Sequence, residues 1–234
     1  MREDAWLSER LGRPAWTIEE TDTVDEVRAI GAGFFQAKVA TDDVARVGSL
    51  EGAGFRTIDV NVTYKREPGG LADGVDRAVT ADGVDPAVTG VRDAGPMDRD
   101  AVVAIAERDY SVSRFHLDPQ IPDEVARAIK RDWADNFFRG DRGDRLLVAD
   151  PDGKVIGFLL VLDGTKASVI DLIAVATEAR GRGAGRALVR GLAESRPNRP
   201  VVAGTQIANV GALRFYERLG FTVEQTQFVL HRHA

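Results

Sequence analysis

The sequence predicts a mixed α/β protein, a central sheet with helices on both faces, preceded by a smaller unit built on the same pattern. Three observations carry this reading. From about residue 89 onward, short apolar runs of strand length alternate with segments of helical periodicity. A glycine-rich loop stands between a buried-strand pattern ending at Val175 and an amphipathic helix. A segment near the N-terminus repeats the layout of the last part of the chain.

Taken in order, the larger unit reads as a strand at Thr89–Asp93, a helix near Arg99–Tyr110 and a helix near Pro122–Phe138 with Val125, Ile129 and Trp133 on one face. Strands follow at Arg145–Asp150, Lys154–Asp163 and Ala167–Val175, with Pro151-Asp152-Gly153 and Asp163-Gly164 as turns. A helix over Gly183–Ser195, a strand over Val201–Thr205, a helix over Asn209–Leu219 and a strand or strand pair over Phe221–Arg232 complete it. Residues 67–86, poor in large apolar side chains and rich in Gly, Pro and Asp, read as a linker. The expected organisation is therefore 1–66 as an N-terminal unit, 67–86 as linker and 87–234 as the larger unit.

A shift of 166 residues lays Thr41–Arg66 on Ile207–Arg232 without a gap: Val44 falls on Val210, Glu51 on Glu217, Gly54-Phe55 on Gly220-Phe221 and Arg66 on Arg232. Either two helix–strand units resemble one another by chance, or the first is a partial, degenerate copy of the second. Asp43 stands opposite Asn209, and Leu50 opposite Tyr216.

Composition narrows the chemistry. With 44% apolar residues the chain can build packed cores, and no window holds the roughly 20 uninterrupted apolar residues of a membrane helix. The first residues lack the apolar stretch of a signal peptide, so a soluble cytoplasmic protein is expected. A net charge of −6 argues against nucleic-acid binding, although Arg180, Arg182, Arg186 and Arg190 form a local basic cluster suited to a small anion. There are no cysteines, and the three histidines, His116, His231 and His233, leave little to hold zinc, so no metal is expected.

The chemistry-bearing run is Val169 to Val189. Gly181, Gly183 and Gly185 alternate with larger residues just ahead of a helix, which frees backbone N–H groups to point at one anion, as in a phosphate or pyrophosphate cradle. A nucleotide-triphosphate loop would need Lys-Ser/Thr after the last glycine, where Arg186-Ala187 stand, and the dinucleotide spacing does not fit either. Read alone, the run fits a glycine- and arginine-rich surface turn equally well.

The pattern Arg-x-x-Gly-x-Gly at Arg180–Gly185 after an apolar strand resembles the coenzyme A loop of the GNAT N-acetyltransferase superfamily. The run Asn209-x-x-Ala212-x-x-x-Tyr216 followed by Gly220-Phe221 resembles that superfamily's second signature, and the likeness covers 87–234. It implies a GNAT fold with acetyl-CoA as co-substrate. It implies free backbone groups at Ile173 and Val175 for the pantetheine arm and a pyrophosphate seat on the amides of Gly181, Arg182, Gly183, Ala184, Gly185 and Arg186, with Ala174 and Arg180 also counted as coenzyme-binding. Asn209 and Ala212 would meet the pantetheine, and Tyr216 would be the general acid toward the departing thiolate. On the residues alone, Tyr216 could equally pack with Phe215 and Leu219. Asp171, on the strand, is not assigned as the base.

Within the superfamily the chain is similar to acetyltransferases of TDP-linked amino sugars, the TDP-fucosamine type, which carry a small half-domain ahead of the catalytic one. The likeness rests on Ser113-Arg114-Phe115-His116, on Gly204–Asn209 and on Gln36–Ala40. It implies Arg114 and Gln206 as acceptor-binding residues, with Arg114 able to meet a sugar-nucleotide diphosphate or to tie its loop to an acid in Asp118–Glu124. The expected partner is a small-molecule amine acceptor, a sugar nucleotide foremost. Other small amines, an amino acid, a protein N-terminus or a silent acetyl-CoA-binding module stay open, as does a homodimer.

Overall fold

The computed structural model describes residues 1–69 and 90–234. The expected linker falls largely on 70–89, and with Thr89 it lies outside the described residues. The N-terminal unit runs β1 (Arg2–Glu3), α1 (Ala5–Leu11), β2 (Ala15–Ile18), α2 (Val24–Ile30), β3 (Phe34–Ala40), α3 (Val44–Gly52) and β4 (Arg56–Arg66). The larger unit continues with β5 (Val91–Asp93), α4 (Arg99–Asp109), α5 (Asp123–Arg139), β6 (Arg145–Ala149), β7 (Gly157–Asp163) and β8 (Ser168–Val175). It closes with α6 (Ala184–Ser195), β9 (Val201–Gln206), α7 (Val210–Arg218) and β10 (Thr222–His233). Each expected element of the larger unit is present within a few residues, and the C-terminal segment is one long strand rather than two.

The ten strands form one sheet in the order β1-β2-β3-β10-β4-β9-β8-β7-β6-β5. The N-terminal strand β4 therefore lies inside the C-terminal half, paired antiparallel with β9 on one side and β10 on the other. Strand β10 in turn lies between β4 and β3. The two parallel pairs, β2 with β3 and β8 with β9, are bridged by α2 and α6, as parallel neighbours require a crossover.

The shift of 166 also relates elements of the structure to one another. Under the shift of 166, α3 and β4 coincide with α7 and β10, and β3 coincides with β9. Asp43 and Asn209 each cap their helix by accepting from the N–H three residues on, Arg46 and Ala212. Gly54 and Gly220 both end the following turn at positive φ, 92° and 76°. The β4–β10 ladder is symmetric about the rung Asn61–Gln227, which the shift maps onto itself. Its two irregularities, at Val223/Gln225 and Val229/Leu230, are likewise interchanged by the same operation.

This exchange mixes the cores. Val62 and Tyr64 of β4 pack with Leu188, Val189, Tyr216 and Phe221 under α6 and α7. Leu230 of β10 packs with Val27, Phe35, Leu50 and Phe55 under α2 and α3. On the opposite face, α4 and α5 cover β6–β8 through Val102, Ile105 and Ala134. Beside them, Leu7 and Phe34 of the first unit meet Phe115, Ala126 and Ile129 of the second.

A buried clasp joins the units as well. Asp118 Oδ2 accepts from His231 Nδ1 at 2.7 Å and His233 Nε2 at 2.8 Å, while Arg13 contacts the other nitrogen of His233. Two of the three histidines thus converge on one carboxylate, contrary to their expected dispersal, and their ligand-type atoms lie within 4.8 Å of one another. Among the described residues, no helix is long and apolar enough to cross a membrane.

Removing residues 1–66 takes β4 from between β9 and β10 and strips Val62 and Tyr64 from the larger core. Loss of a buried aromatic alone costs about 3–5 kcal/mol, so a fragment of 87–234 is expected to aggregate. Size-exclusion chromatography and a melting curve check this; a monomeric fragment with a sharp transition would contradict it.

Candidate functional site

The site begins with a break in the sheet. Strands β8 and β9 share rungs only from Ser168–Val201 to Ile170–Ala203, although β8 runs on to Val175 and β9 to Gln206. The register against β7 slips between Leu160 and Val161, so Asp171 is an extra residue in β8, a bulge that bends the strand away from β9. Its carboxylate is turned toward α5, accepting from both Arg142 Nε and a terminal Arg142 nitrogen at 2.6 Å and from Trp133 Nε1 at 2.9 Å. This commitment to an arginine fork agrees with leaving Asp171 unassigned as a base.

Beyond the bulge, main-chain groups of β8 face the gap. The Tyr110 hydroxyl donates to the Ile173 carbonyl at 2.8 Å, and Arg180 Nε donates to the Val175 carbonyl at 3.1 Å. Ala174, between them, points its side chain into the α4 core. At the end of β8 the chain passes through a short turn at Thr177–Ala179, which Asp109 holds by accepting from the Thr177 N–H and hydroxyl. Arg180 also donates to the Asp109 carbonyl at 2.8 Å. Gly181 and Gly183 both take positive φ, 78° and 89°.

Among the described residues, helix α6 opens at Gly183 without a side-chain cap on its first N–H groups. A Cβ at Gly185 would lie 3.2 Å from the Phe215 ring, closer than ordinary contact, so a larger residue there requires that ring to shift. Arg182 is exposed on the loop. The matching helix of the first unit is closed: α2 starts with a Thr23–Glu26 capping box and carries Asp25 and Glu26 in its first turn. Among the described residues, the helix start at Gly183 lacks the side-chain cap and the first-turn acids that α2 carries.

Across the gap, Asn209 uses its side-chain oxygen to cap α7 by accepting from the Ala212 N–H at 3.1 Å, so its amide NH2 is the part able to meet a ligand. Tyr216 is buried, with its ring 5.6 Å from Tyr64, 5.2 Å from Phe215 and 5.3 Å from Phe221. Burial pushes its phenol far above the ordinary tyrosine range. Tyr110 is raised by burial first and by the nearby Tyr216 and Asp171 as well, so both hydroxyls keep their protons at neutral pH.

A cavity of about 850 Å³ opens between the two units, lined by Gln36 and Lys38 from β3, Gln227 and Val229 from β10, and Arg114, Trp133 and Arg142 from the larger unit. Arg114 Nε donates to Gln36 Oε1 at 3.1 Å, and its guanidinium lies 4.3 Å over the Phe115 ring. The loop tie expected between Arg114 and an acid in Asp118–Glu124 is not made; Asp118 is taken by the two histidines, and Arg114 turns to the cavity. Burial pushes Arg114 down to about 10, and burial with Arg114 nearby pushes Lys38 down to about 8. Both shifts reflect positive charge held away from water.

Ser113 organises the turn beneath, contacting His116 Nδ1 at 2.7 Å and accepting from the Phe115 and His116 N–H groups. Gln206 lies apart from Arg114, at the end of β9. The in-register row Ala40–Gln227–Asn61–Gln206 crosses four strands on the cavity face of the sheet, from the cavity floor to the β8–β9 gap. Tyr110, Asn61 and Arg142 carry no sequence signal of their own, Lys38 is read only as part of the run Gln36–Ala40, and Trp133 reads only as a core position, because contacts between segments distant in sequence define their surroundings.

The sequence profile of the acetyltransferase (GNAT) family matches residues 101–221. The spore coat polysaccharide biosynthesis protein SpsD of Bacillus subtilis is 35% identical over 139 residues, 58% of this chain and 48% of that protein, so the match spans about half its length. A dTDP-fucosamine acetyltransferase of Escherichia coli is 27% identical over 203 residues, covering 84% and 80% of the two chains. A crystal structure of a functionally unknown conserved protein from Staphylococcus epidermidis superposes with a TM-score of 0.64 at 13% identity, covering 93% and 83%, which shows the shared fold. The splayed strands, the glycine-rich helix start and the profile match over more than half of the chain lead to one conclusion: this protein belongs to the GNAT acetyltransferase family.

Proposed function

We propose that the chain transfers the acetyl group of acetyl-CoA to the amino group of a nucleotide-linked amino sugar. The carrying observation is the cavity between the units, where the buried Lys38 and Arg114 stand on one wall, while Asp4, Glu19, Glu20 and Asp141 balance Arg2 and Arg142 elsewhere in the lining. Two buried cations side by side are suited to an anionic group such as a diphosphate. The relatives support the same class: one is named a dTDP-fucosamine acetyltransferase, the other a polysaccharide biosynthesis protein.

In this reading the coenzyme pyrophosphate rests on the N–H groups around Gly183–Arg186, with Arg180 and Arg182 beside it, and the pantetheine lies in the gap against Ile173 and Val175. Asn209 and Ala212 line its other side. A backbone N–H of β8 stabilises the oxyanion as the amine attacks the thioester. Tyr216 protonates the departing thiolate; the burial that weakens it as an acid also raises the thiol's affinity for a proton, so the transfer is not disfavoured by burial alone. The N-terminal unit supplies Gln36, Lys38 and the β4 strand, and acts as the second wall of the acceptor site. The division at 66 and 87 thus separates two sequence copies that share one sheet.

Gly183→Asp places a carboxylate where the pyrophosphate would meet bare backbone, and calorimetry is expected to show no acetyl-CoA binding; unchanged affinity in a folded variant would move the cradle elsewhere. Tyr216→Phe is expected to retain coenzyme binding and lower kcat by roughly 10²–10⁴-fold, and a wild-type rate would reduce Tyr216 to packing. For the acceptor, a nucleotide-linked amino sugar should be acetylated with a higher kcat/KM than the same sugar without its nucleotide. Arg114→Ala should remove most of that preference, roughly 10–150-fold for a charge-assisted contact of about 1.5–3 kcal/mol. Equal wild-type rates on the two acceptors would remove the sugar-nucleotide reading.

A further inference from the structure

Amine acetylation by direct attack has a requirement that the residues above do not meet. An aliphatic amine at neutral pH is largely an ammonium, without a lone pair, and some group must take its proton before nitrogen can attack. Asp171 is held by Arg142 and Trp133. His116 is pinned by Ser113, and its other ring nitrogen is shut in the interior.

Lys130, on α5, is a buried amine that no step so far employs. The residue is 8% exposed. Its Nζ lies 4.9 Å from the centroid of the Tyr110 ring and 4.6 Å from that of Trp133. These two side chains reach β8 directly, Tyr110 through its hydroxyl on the Ile173 carbonyl and Trp133 through its indole N–H on Asp171. Lys130 therefore lies behind Trp133, which lines the cavity, and beside Tyr110, which reaches β8, without itself being among the cavity-lining residues.

We propose that Lys130 is the general base of acetyl transfer, its neutral amine taking the proton from the acceptor's ammonium as that group passes from the cavity to the thioester. This rests on the acetyl-transfer reading above. The freed nitrogen lone pair forms the N–C bond to the acetyl carbon, and collapse of the tetrahedral intermediate breaks the C–S bond. Tyr216 gives its proton to sulfur and is reprotonated by the second amine proton, while Lys130 returns its own to solvent.

The surroundings bring the charged and neutral forms of this amine into balance near pH 7. Burial pushes Lys130 down from 10.5 to about 7, and the guanidiniums of Arg114 from the loop and Arg142 after α5 push the same way. Asp171 on β8 opposes them. His116 also faces Lys130 and is itself lowered by burial, then by this neighbour. A group lowered in this way is charged below about pH 7 and competent above it, so the rate should rise with pH through that region.

The test is the pH dependence of kcat/KM in the wild type with two acceptors whose amines differ in pKa. An acid limb near pH 7 that stays in place for both is expected; a limb that follows the acceptor's amine would overturn the assignment. Lys130→Arg keeps the charge and stem but cannot act as a base, and it should lower kcat at pH 7 by roughly 10²–10⁴-fold. Acetyl-CoA affinity should be unchanged by calorimetry, and the deficit should shrink as pH rises and the acceptor deprotonates itself. A wild-type rate and limb in Lys130→Arg would overturn the proposal. If the wild type acetylates no nucleotide sugar, the sugar reading falls, and the same measurements on an amine that it does acetylate decide Lys130. An enzyme that acetylates no amine overturns both.

Discussion

The structure depends on the exchange of strands β4 and β10. Each carries the last strand of its own copy into the sheet of the other, so neither copy can satisfy its ladder or close its core alone. A buried strand without neighbours leaves a row of N–H and C=O groups unpaired, each of which is costly away from water. Placing β4 between β9 and β10 satisfies both edges at once and delivers Val62 and Tyr64 beneath α6 and α7. The symmetric ladder about Asn61–Gln227 shows that the two copies meet as equals in backbone geometry.

Their side chains are not equal, and function follows that difference. The first copy closes its crossover helix with Thr23 and Glu26 and puts Leu50 where the second has Tyr216. The second copy starts its helix at Gly183 without such a side-chain cap among the described residues and breaks its sheet with the bulge at Asp171. One backbone plan thus yields a packed wall and, opposite it, a split between β8 and β9 beside a glycine-rich helix start. The same bulge brings Asp171 within reach of Arg142 and Trp133, fixing the wall on which Lys130 and Tyr110 rest.

Charge is distributed to match. The space between the copies holds Lys38 and Arg114, with Lys130 behind them, in a lining that also carries Asp4, Glu19, Glu20 and Asp141. The lowered pKa values of Lys38, Arg114 and Lys130 reflect burial first and neighbouring cations second. A folded protein retains such an arrangement where an anion can repay it, which is the physical basis of the acceptor reading.

What the sequence determined by itself is what short-range physics controls. Glycines at fixed offsets from a buried strand mark a tight loop ahead of a helix, the run Asn209–Gly220 marks a helix and its end, and a shift of 166 lays one segment on another, because each is legible in local sequence. The acceptor site was legible only through Arg114 and the run Gln36–Ala40, and the strand exchange was not legible at all. Sequence periodicity states that β4 is buried but not by which neighbours, and it states that Trp133 faces inward but not that Asp171 and Lys130 await it there. Those pairings were decided by long-range packing: the cavity exists only where two distant segments meet across β10, and Lys130 acquires its chemistry only from groups brought to it from α4, β8 and the loop before α5.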